Sequence, residues 1–233
     1  MKALFLTNLP APYKVDLFNN LAKRIDLTVL FERSNADNRN NAWLKNNCIG
    51  FEAIFLEGIK IGEEASLCLD IFRYIKKSEY DLFILNGYSS PTSIYLIFLL
   101  KILKIPFILS LDGGILKKDT NFFKDKFKRF LINSAKFYFS TSNETDKYLE
   151  SFNIKSSDIF RVPFTSILSK DLLKKPFTAS EKKILKKNLG LSSEFMILTI
   201  GQFIHRKGID VLLRSIPSIE ADITVCIIGG SAT

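Results

Sequence analysis

The stretch Asp81–Gly114, DLFILNGYSSPTSIYLIFLLKILKIPFILSLDGG, decides the fold. Asp81–Leu85 is a short apolar run closed by Asn86-Gly87, which reads as a buried strand. A helix starts near Pro91, a favoured first-turn residue, and continues to about Lys104. Pro106–Leu111 is a second apolar strand, closed by Asp112-Gly113-Gly114. Strands apolar on both faces, joined through a helix, belong to a parallel sheet covered on both sides. The longest apolar run, Ile94–Leu109, is interrupted by Lys101, Lys104 and Pro106. It falls short of the roughly 20 residues that span a bilayer, so a buried helix and strand are expected and no transmembrane segment.

The same alternation extends in both directions. Lys2–Thr7, Asp26–Phe31, Glu52–Leu56, Lys136–Ser140 and Ile159–Val162 read as further strands. Helices are expected over 13–23, 66–77 and 122–134, the last burying Phe123, Phe127, Phe130 and Leu131. Thr141 and Glu144 have capping-box spacing and open a helix over 142–151, while the Asn-rich residues 33–50 read as an exposed loop. This is a doubly wound α/β domain, whose ligands sit at the carboxyl ends of the strands. Asn8, Pro12, Tyr13, Asn86, Gly87, Asp112, Gly113 and Gly114 gather at those ends.

Residues 163–177 read as a linker, followed by a lysine-rich helix capped by Thr178 and Glu181. Phe195–Ile200, a helix over 209–216 and Ile223–Ile228 then form one β-α-β unit. The organisation expected is one α/β domain over 1–165, a linker and helix over 166–190, and the start of a second α/β domain over 191–233.

Composition narrows the function. With 47% hydrophobic and 24% charged residues, the chain of 233 residues is globular. Cys48, Cys68 and Cys226 are scattered, which excludes a disulfide scaffold and a cysteine zinc site and fits a reducing, cytoplasmic setting. His205 is the single histidine, which excludes a His-His metal motif. The net charge of +9 is concentrated in two segments. Residues 117–129 carry six basic and two acidic residues, and 170–187 carry seven lysines against Asp171 and Glu181. Such stripes attract anions, among them phospholipid headgroups, unless they are merely solvated helix faces. Nucleic acid is not expected, because no helix-turn-helix, RNP or zinc pattern accompanies the charge.

Gly201-Gln202-Phe203-Ile204-His205-Arg206-Lys207-Gly208 lies between a strand and a helix. Its backbone N–H groups, Arg206 and Lys207 form a sensible diphosphate cradle. It has neither P-loop nor dinucleotide-fingerprint spacing. His205 needs only to be an exposed loop side chain.

ILTIGQFIHRKGIDVLL (197–213) resembles the element that opens the donor domain of GT-B glycosyltransferases of the large retaining family 4. FTASEKKILKKNLGLSSEF (177–195) resembles the helix before it. LTNLPAPYKVDLFNNLAKRIDLTVLF (6–31) resembles the first β-α-β of bacterial polysaccharide glycosyltransferases. LSLDGG (109–114) and AKFYFSTSNETDKYL (135–149) resemble later parts of the acceptor domain. The resemblance covers the whole chain, in the family's order.

It implies a GT-B arrangement of two Rossmann-like domains. The implied reaction is sugar transfer from a UDP- or GDP-sugar to a glycan or lipid-linked acceptor in cell-surface polysaccharide synthesis, with retention and without a metal or other cofactor. Gly201, Arg206 and Lys207 are the implied donor-phosphate residues. Gln202 stands where the family usually has arginine. Asp112, where the family often carries a histidine, is the candidate catalytic residue. Asn8, Pro12, Tyr13, Asn86, Gly87, Gly113 and Gly114 are the candidate acceptor residues. Complete members carry a glutamate pair spaced E-x7-E further on, which is absent here. The expectation is therefore a C-terminally truncated enzyme, inactive alone, whose site a separate C-terminal half would complete. Separately, lipid-linked acceptors imply work at the inner membrane face, where the basic helix 122–134 suits anionic lipid. The alternative is a non-catalytic module that binds an acceptor glycan or a membrane surface.

Overall fold

The structure, a computed structural model, describes all residues except 36–47, 62–64, 115–121, 164 and 230–233. The chain divides into two compact units, Met1–Ser166 and Ile167–Thr233.

The first unit contains β1 (Lys2–Thr7), α1 (Pro12–Leu21), β2 (Asp26–Phe31), β3 (Glu52–Phe55), β4 (Ile59–Ile61) and β5 (Ala65–Leu67). It continues with β6 (Leu82–Asn86), α2 (Pro91–Ile102), β7 (Ile108–Leu111), α3 (Phe122–Ile132), β8 (Phe137–Ser140), α4 (Asn143–Glu150) and β9 (Ile159–Arg161). Seven strands form one parallel sheet in the order β3-β2-β1-β6-β7-β8-β9. β4 and β5 form a separate antiparallel hairpin.

Strand residues point alternately to the two faces, so each strand feeds two cores. From β1, Leu4 and Leu6 enter one core and Ala3 and Phe5 the other. The first core is covered by α2, α3 and α4 through Leu96, Ile97, Leu100, Leu131, Ile132, Tyr148 and Leu149. The second is covered by α1 through Val15 and Phe18. The expected doubly wound, Rossmann-like parallel sheet is thus observed. The run Ile94–Leu109 divides between α2 and β7, and no helix among the described residues is long and apolar enough to cross a membrane.

Several local expectations are corrected. The segment 66–77 is not an α-helix but β5 followed by a 3-10 helix, Leu69–Tyr74. The backbone N–H of Cys68 donates to Thr92 Oγ1 at 3.0 Å, and Thr92 Oγ1 donates to the Ser66 carbonyl at 2.6 Å. These long-range bonds tie Ser66–Cys68 to α2 in extended form and delay the helix. The cap of α4 is Ser142 rather than Thr141, its hydroxyl accepting from the Thr145 N–H at 3.2 Å. Glu144 instead pairs with Lys147 at 3.0 Å. Of the four α3 residues expected in the core, only Leu131 is buried; Phe123, Phe127 and Phe130 are exposed. Their core already holds Leu131, Ile132 and the apolar side of α2, so the aromatic stripe lies outside it. Most of the predicted loop 33–50 lies outside the described residues.

The second unit contains α5 (Ala179–Asn188), β10 (Phe195–Ile200), α6 (Ile209–Ser215) and β11 (Ile223–Ile228). β10 and β11 pair in parallel, with Phe195 opposite Ile223. The expected capping box of α5 is present: Thr178 Oγ1 accepts from the Glu181 N–H, and Glu181 accepts from the Thr178 N–H at 2.7 Å. Among the described residues of this unit, only Ser193 is buried.

The energetic weight therefore lies in the first unit. Phe18 is buried with its ring 4.9 Å from Phe5, 5.7 Å from Phe51 and 6.3 Å from Phe31. Phe18→Ala is expected to cost about 3–5 kcal/mol in urea unfolding, the usual cost of emptying an aromatic core site. A cost below about 1 kcal/mol would contradict this core assignment.

Candidate functional site

The strand order reverses between β1 and β6. β1 leads to β2 on one side, whereas β6 leads to β7 on the other. At such a reversal the connections leave in opposite directions and a crevice opens at the carboxyl ends of the strands. A cavity of about 440 Å³ lies there. Asn8 and Leu9 line it after β1, Tyr13 and Lys14 from α1, and Glu32 after β2. Asn86, Gly87, Ser89 and Ser90 follow from the end of β6, Asp112 from the end of β7, and Ile61 and Ala65 from the hairpin.

Thr7 Oγ1 organises one wall. It accepts from Lys14 Nζ at 2.9 Å and from Asn86 Nδ2 at 3.3 Å. Lys14 Nζ also donates to Asn8 Oδ1 at 3.3 Å. These bonds draw α1 and the ends of β1 and β6 together. Gly87 has φ +87, a left-handed conformation that strains any side-chain-bearing residue, and its N–H donates to the Ser110 carbonyl at 2.9 Å.

Glu32 organises the opposite wall and is 3% exposed. Its Oε1 accepts from Ser90 Oγ at 2.6 Å and its Oε2 from the Ser66 N–H at 3.3 Å. Ser90 in turn caps α2 by accepting from the Ser93 N–H at 3.0 Å. One carboxyl thus joins the end of β2, the start of α2 and the hairpin. Burial pushes this carboxyl above the ordinary glutamate range, although the Ser90 hydrogen bond and the Lys14 charge pull it down. A cavity with a buried carboxyl, an ammonium, amides and hydroxyls suits a hydroxyl-rich ligand, because each wall both donates and accepts.

The structure gathers five predicted residues in this cavity: Asn8, Tyr13, Asn86, Gly87 and Asp112. Pro12, in the first turn of α1, and Gly113 and Gly114 do not line it. Gly113 has φ +126. A Cβ on Gly114 would lie 2.3 Å from the Tyr148 ring, so this glycine is explained by close packing. Sequence reading missed Lys14, Glu32 and Ser90. Glu32 follows β2 directly, so the strand-end rule that selected Asn8 and Asn86 also reaches it. Ser90, just before Pro91, stands at a helix start.

The second unit carries its own polar turn. The N–H of Gly201 donates to the Ile228 carbonyl at 2.9 Å, that of Lys207 to Ile204 at 2.9 Å and that of Gly208 to His205 at 3.0 Å. The backbone cradle expected from sequence is therefore partly used up within the turn. The turn also carries the side chains of Arg206 and Lys207, both exposed. The Lys207 side chain lies across Gly201, where a Cβ would meet its Cδ at 3.5 Å. At Gly229 a Cβ would fall 1.8 Å from the Gly201 carbonyl oxygen, so the two strand ends approach as only glycine allows. His205 is 94% exposed, with its Nδ1 3.9 Å from Asp210 Oδ2.

Solved structures share this architecture. HepE of Anabaena, in complex with UDP and glucose, matches with a TM-score of 0.64 and 17% identity, over 99% of this chain and 61% of that protein. The fold is the Rossmann-like one of GT-B proteins. The lipopolysaccharide outer core galactosyltransferase WaaB matches with a TM-score of 0.55 and 16% identity, over 99% of this chain and 61% of that one. UDP-GlcNAc 2-epimerase from Neisseria meningitidis, bound to UDP-GlcNAc, matches with a TM-score of 0.56 and 15% identity, over 97% and 66%. The chain thus spans about 61% of the length of HepE and WaaB. No protein-family profile and no curated protein sequence matches it.

The raised Glu32 pKa makes stability depend on pH. The folded chain holds this proton more tightly than an ordinary glutamate near 4.5. The group's contribution is therefore fully present below that value and is lost as pH rises through the folded pKa. Glu32→Gln, which cannot ionise, should gain stability relative to wild type across that window, by about 1.4 kcal/mol for each pH unit of displacement. Urea unfolding of both proteins over a pH series measures this. A gap that stays constant with pH, or moves the other way, contradicts it.

Proposed function

We propose that the chain is the acceptor-side domain and the start of the donor-side domain of a nucleotide-sugar-dependent, retaining glycosyltransferase. The observation that carries this reading is the switch-point crevice, with Asn8, Tyr13, Lys14, Glu32, Asn86 and Asp112 around it. Its mixed donors and acceptors suit the hydroxyls of a glycan acceptor. Asp112, at the end of β7, is the side chain assigned to the reacting sugar.

The donor diphosphate is assigned to the turn Gly201–Gly208, where Arg206 and Lys207 supply the positive charge that a diphosphate leaving group requires. Support comes from HepE, which was crystallised with UDP and glucose, and from WaaB, a galactosyltransferase. The acceptor class is a glycan or lipid-linked sugar of a cell-surface polysaccharide. Transfer is assigned to a longer assembly, since HepE and WaaB are longer than the stretch this chain matches.

Calorimetry with UDP and GDP tests the donor assignment. The Arg206→Ala/Lys207→Ala variant is expected to bind the preferred diphosphate about tenfold or more weakly, the loss of two charge-assisted contacts. Equal binding by wild type and variant would overturn that assignment. With UDP-sugars and glycan acceptors, the 233-residue chain is expected to transfer little or no sugar. Robust turnover would refute the need for further donor-side residues, and epimerisation of UDP-GlcNAc would overturn the transferase reading.

A further inference from the structure

We propose that the aromatic surface shared by α2 and α3 docks on an anionic phospholipid bilayer. α3 carries Phe123, Phe127 and Phe130 at spacings of four and three residues, one continuous stripe on a helix. In a soluble core this stripe would be covered. Here Phe123 is 79% exposed, Phe127 45% and Phe130 38%.

The stripe continues onto α2. The Phe98 ring lies 5.3 Å from Phe130 and 6.5 Å from Phe127, and Phe98 is itself exposed. Ile102, one turn further along α2, is 76% exposed, and Leu103 follows it. α2 is apolar almost all round: Leu96, Ile97 and Leu100 enter the core while Phe98 and Ile102 face out. Contiguous exposed apolar groups of this kind mark an interaction surface rather than scattered surface residues.

The charge around the surface selects the partner. Segments 98–104 and 122–132 carry six basic residues and a single acid, Asp125. Asp125 is neutralised by Arg129 at 2.7 Å. Lys101, Lys104, Lys124 and Lys126 are exposed. Lys101 Nζ sits 4.6 Å from the centroid of the Phe130 ring, so cation and aromatic face are held together. Lys128 and Arg129 lie over aromatic rings of the α4 region, Lys128 Nζ 5.2 Å from the Tyr148 centroid and the Arg129 guanidinium 5.1 Å from that of Phe152. Aromatic rings flanked by flexible lysines match the bilayer interface, where rings enter the headgroup boundary and ammonium groups meet lipid phosphates. This docking does not depend on the sugar chemistry proposed above.

Co-sedimentation with vesicles tests it, using phosphatidylcholine alone and phosphatidylcholine mixed with phosphatidylglycerol. The chain is expected to bind the anionic vesicles at least about tenfold more tightly. Lys101→Ala/Lys104→Ala should weaken that binding by about fivefold per lysine. Phe123→Ser/Phe127→Ser should weaken it by roughly tenfold while leaving the urea midpoint near that of wild type. If the serine variant fails to fold, the lysine variant decides alone. Absence of binding at low salt, equal binding to both vesicle types, or unchanged binding by the lysine variant overturns the proposal. So does a wild-type chain that self-associates through this face and ignores vesicles.

Discussion

The right-handed crossover of parallel strands is the constraint on which the rest depends. Two strands of a parallel sheet can be joined by a helix in essentially one hand. When the chain runs from β1 to β2 on one side and from β6 to β7 on the other, α1 and α2 must therefore cover opposite faces. The division of the apolar residues into two cores follows from this. So does the crevice between the ends of β1 and β6, which no crossover fills. Thr7, shared by Lys14 and Asn86, binds its two edges together.

The strands were largely readable from the sequence because a parallel strand is apolar on both faces and stands out against its polar closures. Asn86-Gly87 and Asp112-Gly113-Gly114 mark such closures in the sequence and terminate strands in the structure. What could not be read depends on contacts distant in sequence. Ser66–Cys68 is held extended by Thr92, whose Oγ1 accepts from the Cys68 N–H 24 residues away in sequence. The phenylalanines of α3 have a helical period, but period alone does not say whether a face meets a core already filled by α2. Register at helix starts is also fine-grained: Ser142 rather than Thr141 caps α4, a choice between adjacent hydroxyls.

The crevice was readable in outline, through strand ends that carry Asn8, Asn86 and Asp112. The position of Glu32 at the end of β2 was within reach of the same rule, but its burial was not. Its burial and its bond to Ser90 arise only when β2 and α2 meet. The polar turn of the second unit shows the opposite case. Its glycines and basic residues were evident in sequence, but several of its N–H groups are committed to the turn itself. The positive charge of that turn is carried by the exposed side chains of Arg206 and Lys207.

The proposed division of labour puts a hydroxyl-rich acceptor at the crevice of the first unit and a nucleotide diphosphate at the glycine turn of the second. Amide chemical-shift mapping of the isotopically labelled chain, titrated with UDP and separately with an oligosaccharide, tests it most directly. UDP is expected to perturb Gly201–Gly208, and the oligosaccharide Asn8, Glu32, Asn86 and Asp112. Perturbation of the crevice by UDP, with the glycine turn unchanged, would contradict it.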